Sequence, residues 1–169
     1  MKAGIRMRVR RIRARLRLRR FSRSERGVQL AELAIVLPLF LILFATTAEF
    51  GRFFYEYSTL AKAARAGSRY LVSTSVDVAE DARAKNIVVY GNPEGTGSPL
   101  VKGLTTANVT ITRQGGAPTL PETVKVQITG YKYQPIFNLG ALTKNSSLSL
   151  NIDVKPSVTM RYLLTQPLV

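Results

Sequence analysis

The chain contains no cysteine and no histidine. Without cysteine there are no disulfides and no thiol nucleophile, without either residue the usual zinc ligand sets are gone, and without histidine the commonest general acid or base is missing. Acidic residues are sparse as well, 10 against 25 lysines and arginines, for a formal net charge of +15 over 169 residues. The imbalance is local. Residues 1–26 hold 12 of the basic residues and one acid, Glu25, so this arm carries +11 of the total. Residues 28–169 hold 13 basic and 9 acidic residues, an ordinary balance for a chain with one domain's length.

What is present falls into four pieces. In residues 1–26 arginine recurs at almost every second position from Arg6 to Arg20, with Val, Ile, Ala and Leu between. From Val28 to Ala48 there is one charged residue, Glu32, in a run of 21. At ~1.5 Å per helical residue such a run matches a hydrocarbon core of ~30 Å, so a membrane-spanning helix is expected over 28–48. A flanking block this basic holds its end of a span in the cytoplasm, which puts the N terminus inside. Pro38 lacks the N–H that the helix ladder uses, and its ring crowds the carbonyl one turn back, so a kink is expected there without an end to the helix.

Beyond Ala48 the pattern changes without a turn signal. Phe50, Phe53, Phe54, Tyr57, Leu60, Ala61, Ala64 and Leu71 follow three-and-four spacing, with Arg52, Glu56, Lys62, Arg65 and Arg69 on the other face, which predicts an amphipathic helix continuing the span. Glu49 to Arg52 and Arg52 to Glu56 are spaced for helical ion pairs of ~0.2–0.5 kcal/mol each. A break is expected at Ser73-Thr74-Ser75, then a short helix from Val78 to Lys85 opened by a capping box of Asp77 and Glu80. Residues 49–85 thus form a helical segment.

Residues 86–169 read as an antiparallel sheet domain. Ile87 to Tyr90 is β-rich, the stretch from Gly91 to Pro99 is a loop, and apolar residues alternate at Val109 and Ile111, at Val124, Val126 and Ile128, and at Leu148, Leu150, Ile152 and Val154. A further alternating run, Val158, Met160 and Tyr162, follows Pro156. Each run has one buried and one wet face. The apolar face needs a partner, and the helix stripe is the one the chain offers. The expected fold class is α+β: a long N-terminal transmembrane-plus-amphipathic helix packed on a small antiparallel β-sheet.

The junction Glu25-Arg26-Gly27-Val28-Gln29-Leu30-Ala31-Glu32 sets a basic leader, a glycine, and an apolar helix with glutamate five residues past the glycine. It resembles the class III signal of type IV pilins, which an inner-membrane prepilin peptidase cuts after the glycine. The resemblance implies that 1–27 is a leader peptide, that Gly27 is its last residue and that Val28 is the new N terminus. Two physical points stand apart from it. A glycine leaves the backbone accessible to a protease, and a carboxylate inside a span costs ~2.5–3.5 kcal/mol on insertion scales unless paired. Glu32 therefore needs a cation: the new amine at Val28 of a neighbouring subunit or, on a plainer reading, a headgroup or Arg26. The glycine at the matching offset favours the first.

The likeness extends along five stretches. Gly27 to Pro38, Glu49-Phe50-Gly51-Arg52 and Ala63 to Tyr70 resemble the N-terminal signature of the TadE/TadG-like family, pseudopilins of tight-adherence (Flp-type) pilus machines, and Asn86 to Gly91 and Val158 to Tyr162 resemble later landmarks. Major Flp pilins are very short and tend to carry tyrosine after the signal glutamate; Leu33 stands here, and more than a hundred residues follow. The resemblance therefore implies a minor pilin or pseudopilin of the TadE type, in a bacterial inner membrane with its C-terminal domain periplasmic. Its implied partners are the membrane, the prepilin peptidase, other pilins and Tad machinery proteins. The alternative is an uncleaved single-pass anchor with a periplasmic binding domain. Release by signal peptidase near Thr46-Thr47-Ala48 is disfavoured, because a helix runs straight on from that site.

Other chemistry is poorly supported. Asp77, Glu80 and Asp81 lack the glycine-containing oxygen-rich loop of a calcium site, and Gly91, Gly95 and Gly97 lack the Gly-Lys-Ser/Thr ending of a phosphate loop. No Ser-x-x-Lys spacing comes with supporting partners. The arginine arm, directly before a span, suits anionic lipid and topology better than nucleic acid. No enzyme activity, metal, cofactor, nucleic acid or small-molecule substrate is expected. Gly67-Ser68 interrupts the helix stripe with two small residues, which permits close approach of the sheet or another helix.

Overall fold

The computed structural model describes residues 25–118, 120–138, 140–141, 144–146 and 149–164, with the backbone alone for Glu25 and Arg26. The basic arm before Glu25, and Leu148 of the expected strand, lie outside the described residues. The described residues fall into two units that divide between Leu43 and Phe44. Helix α1, Glu25–Leu71, runs unbroken for 47 residues with Pro38 inside it. Among the described residues it is the one helix long and apolar enough to cross a membrane; its most apolar stretch has a mean hydropathy of 2.4 and no buried residue.

In the second unit α1 meets helix α2, Val78–Tyr90, and a sheet of three antiparallel strands, β1 (Val109–Gln114), β2 (Thr123–Ile128) and β5 (Ser157–Arg161), in the order β1-β2-β5. A second, two-stranded sheet pairs β3 (Tyr131–Lys132) with β4 (Asp153–Val154). The register places Ile111 opposite Val126 and Val126 opposite Val158, so the alternating apolar residues of all three strands share one face. On the central strand Val124, Val126 and Ile128 are fully buried, in one core with Leu60, Ala64, Leu71, Val88 and Val89. The sheet does pack on the helix stripe.

At Gly67 the two helices and the sheet pack closely together. A Cβ there would stand 2.5 Å from Val88 Cγ2 and 3.3 Å from the Ala84 carbonyl oxygen. The following hydroxyl, Ser68 Oγ, is buried 3.0 Å from the Ala64 oxygen and 3.3 Å from the Val158 oxygen, so it joins α1 to β5. On the far side Arg113 of β1 grips Asp81 of α2 with two guanidinium nitrogens, at 3.1 and 2.5 Å.

Four expectations need correction. Ile87 to Tyr90 is not a strand but the last turn of α2, which buries Val88 and Val89 and ends where Gly91, at φ 80°, donates its N–H to the Ile87 oxygen. Packing against α1 outweighs the β preference of those branched side chains. The capping box at Asp77 does not form: Asp77 is the N-cap without a side-chain bond, and the Glu80 carboxylate is taken by Arg83 and the Tyr70 hydroxyl. Of the run Leu150 to Val154, the ladder takes Asp153–Val154; Ile152 is 45% exposed, its oxygen accepts the Tyr133 N–H at 2.9 Å, and its own N–H folds back on the Leu150 oxygen. On the stripe, Phe50, Phe54 and Tyr57 face outward, while Glu49, Ala63, Gly67 and Ser68 take buried positions beside Phe53, Leu60, Ala64 and Leu71.

Candidate functional site

The residues singled out at the leader junction all lie on the first part of α1. Gly27 is helical there, and a Cβ added to it would meet nothing within 4 Å. Neither packing nor a left-handed backbone requires glycine at this point, although glycine in a helix costs ~1 kcal/mol relative to alanine. Gly67 is the contrast, a helical glycine that the core does require. Val28, next to Gly27, is 68% exposed. Glu32 is also exposed and sits with Gln29, Leu33 and Val36 around a shallow recess. Among the described residues it has no hydrogen-bond or ion-pair partner. Its neighbours Leu30, Leu33, Ile35 and Leu37 are likewise exposed, so the carboxylate stands among apolar side chains with no cover from the other described residues.

The second polar cluster starts where the apolar run ends. Glu49, Arg52 and Glu56 recur at helical spacing and meet Tyr131 and Tyr133, which alternate onto one side of β3 and its continuation. Glu49 is only 5% exposed. Its carboxylate accepts the Tyr133 hydroxyl, the Ile136 N–H at 3.1 Å and the Phe137 N–H at 3.2 Å. Glu56 accepts the Tyr131 hydroxyl at 3.0 Å and pairs with Arg52 at 3.3 Å. Arg52 also donates to the Gln134 carbonyl oxygen at 3.0 Å and lies 5.5 Å from the centre of the Tyr133 ring. Phe53 closes the cluster, edge-on to Tyr133 at 5.2 Å.

Electrostatics follow from this geometry. Burial opposes ionisation of Glu49, but the hydrogen bonds from Tyr133, Phe137 and Ile136, with Arg52 nearby, outweigh it and hold the carboxyl below its ordinary pKa. Burial, and then the facing carboxylates, push the Tyr131 and Tyr133 hydroxyls above the ordinary phenol value. The ionised Glu49 thus faces the neutral Tyr133 phenol. The cluster is built to hold a segment in place, and each of its polar groups is already engaged.

Sequence spacing assigned Glu49 to Arg52; the structure gives it to the 133–137 segment instead. A signal was available. Glu49 lies on the same helical stripe as Phe53, Leu60, Ala64 and Leu71, at offsets of 4, 11, 15 and 22, and a carboxylate on a buried stripe must find donors elsewhere in the fold.

No curated protein and no solved structure matches the chain. Residues 27–69 match the family model TadE, described as TadE-like protein. The match opens at Gly27, contains Glu32, Glu49 and Arg52, and closes just past the Gly67-Ser68 contact, while the stretches Asn86 to Gly91 and Val158 to Tyr162 lie beyond it. Over this segment, about a quarter of its length, the chain is similar to TadE-like proteins, and the similarity suggests a component associated with Tad pilus systems.

Proposed function

We propose that the protein is a minor pilin or pseudopilin that acts in the assembly of a Tad-type pilus. It enters the inner membrane with its N terminus in the cytoplasm, loses residues 1–27 to a prepilin peptidase, and keeps residues 86–169 in the periplasm. Val28 then carries the new α-amine. Helix α1 acts twice, as membrane anchor and as the element that packs against other pilin helices, and the sheet domain supplies the surface that selects partners. The kink expected at Pro38 lets the span follow neighbouring helices.

The observation that supports this reading is the exposed Glu32, without a partner among the described residues, set among exposed apolar side chains of the family-matched helix. A carboxylate so placed is costly in hydrocarbon, and pairing it with the Val28 amine of a neighbour removes both charges together. Complementation of a strain lacking the gene tests the idea. Glu32→Ala protein, present in membranes at the wild-type level, is expected not to restore pili; full restoration would count against the pairing.

A further inference from the structure

We propose that the turn at residues 134–137 is a foot that rests on the bilayer, with Ile136 entering the boundary between headgroups and acyl chains where α1 leaves the membrane. The inference rests on the membrane-spanning reading of residues 28–48 and not on the pilus role. The apolar run ends at Ala48, and Glu49 is the next residue. Because the Glu49 carboxylate binds the backbone N–H groups of Ile136 and Phe137, at 3.1 and 3.2 Å, this turn is pinned level with the end of the run. The headgroup layer adds ~5–8 Å on each side of the hydrocarbon core, so anything held at Glu49 lies within it.

The turn presents what such a layer takes up. Ile136 is 80% exposed, although its backbone is fixed. Phe50 is exposed on the next turn of α1, ~3 Å past Ala48 by helical rise, at the depth where membrane proteins concentrate aromatic side chains. The recess beside Ile136, of about 220 Å³, is lined by Arg52 and Lys102 with a single carboxylate, Glu56, an excess of positive charge suited to lipid phosphate. A protein partner fits less well. The apolar tip is one side chain wide, whereas a stable protein interface needs ~1,000 Å² or more. One isoleucine is enough to orient a domain whose attachment is already made by a span.

The 169-residue chain has no native cysteine, so single nitroxide labels are straightforward. Labels carried by Ile136→Cys, Leu41→Cys and Val78→Cys would be compared in vesicles of phosphatidylethanolamine and phosphatidylglycerol, reading collision with oxygen against collision with a water-soluble nickel chelate. Position 136 is expected to favour oxygen several-fold over the Val78 position, which is 83% exposed. A water-like signal at 136 alongside a bilayer-like signal at 41 would overturn the foot and leave the span intact. Water-like signals at both would remove the span reading and the foot with it. Ile136→Trp, in a chain with no native tryptophan, gives a second readout through quenching by brominated lipids, and absence of quenching there would also overturn the proposal.

Discussion

The Glu49 carboxylate and the Tyr133 hydroxyl, 84 positions apart in sequence, meet in a buried hydrogen bond that fastens the segment after β3 to the helix turn directly beyond the apolar run. Glu49→Ala leaves that hydroxyl and two backbone N–H groups without their acceptor. The expected cost is ~3 kcal/mol, because the lost bonds are to a charged group and the donors stay desolvated. Amide hydrogen exchange at Ile136 and Phe137 should then accelerate about 100-fold, while amides of β2 change far less. Uniform acceleration across the domain would show that the contact holds the whole fold and not the turn.

The same pair sets a pH dependence. Glu49 has a folded pKa below its ordinary value of 4.5, so it contributes stability that is complete above that value and is lost as pH falls through the lowered folded pKa. Tyr133 has a folded pKa above its ordinary 10.0, so its contribution is complete below that value and is lost as pH rises through the raised one. Denaturant midpoints for the full chain in micelles should fall between about pH 5 and pH 3, and Glu49→Gln should flatten part of that slope. An equal slope in the variant would take Glu49 out of the acid transition.

Helical glycines separate packing from processing. Gly67→Ala places a Cβ against the stiff, buried Val88 and is expected to destabilise the domain by ~1–3 kcal/mol, despite the better helix propensity of alanine. Gly27→Ala meets no atom within 4 Å and should leave helix content unchanged while abolishing leader removal. Circular dichroism and the size of the membrane-bound product distinguish the two. Normal processing of the Gly27 variant would mean that the glycine is not what the peptidase reads.

Asp81 tests how α2 is held. It accepts two nitrogens of the half-buried Arg113, and Asp81→Ala is expected to cost ~1–2 kcal/mol, a figure reduced for solvent screening because both side chains are partly exposed. Thermal unfolding of the full chain checks it. A change below the measurement error would class the fork as a surface pair.

Much of the architecture was legible from local pattern. The alternation Val124, Val126, Ile128 marked the central strand, and the three-and-four spacing of Phe53, Leu60, Ala64 and Leu71 marked the helix face that covers it. Where a residue's fate depended on distant partners, local rules misled. Ile87, Val88 and Val89 have strand-like side chains, yet α2 carries them because Gly67 leaves room for Val88. Glu49 has an arginine three residues on, yet donors more than 80 positions away take its carboxylate. The pattern Gly27 to Glu32 is a spacing along one helix, on which the tertiary contacts of the fold have no bearing.

The most direct measurement is the N-terminal residue and intact mass of the protein recovered from membranes of a native-like host, with and without its prepilin peptidase. A start at Val28 that depends on the peptidase is expected, and it would place an α-amine where Glu32 of a neighbour can meet it. An unprocessed N terminus in both backgrounds would contradict the account and leave a single-pass anchor that keeps its arginine-rich arm.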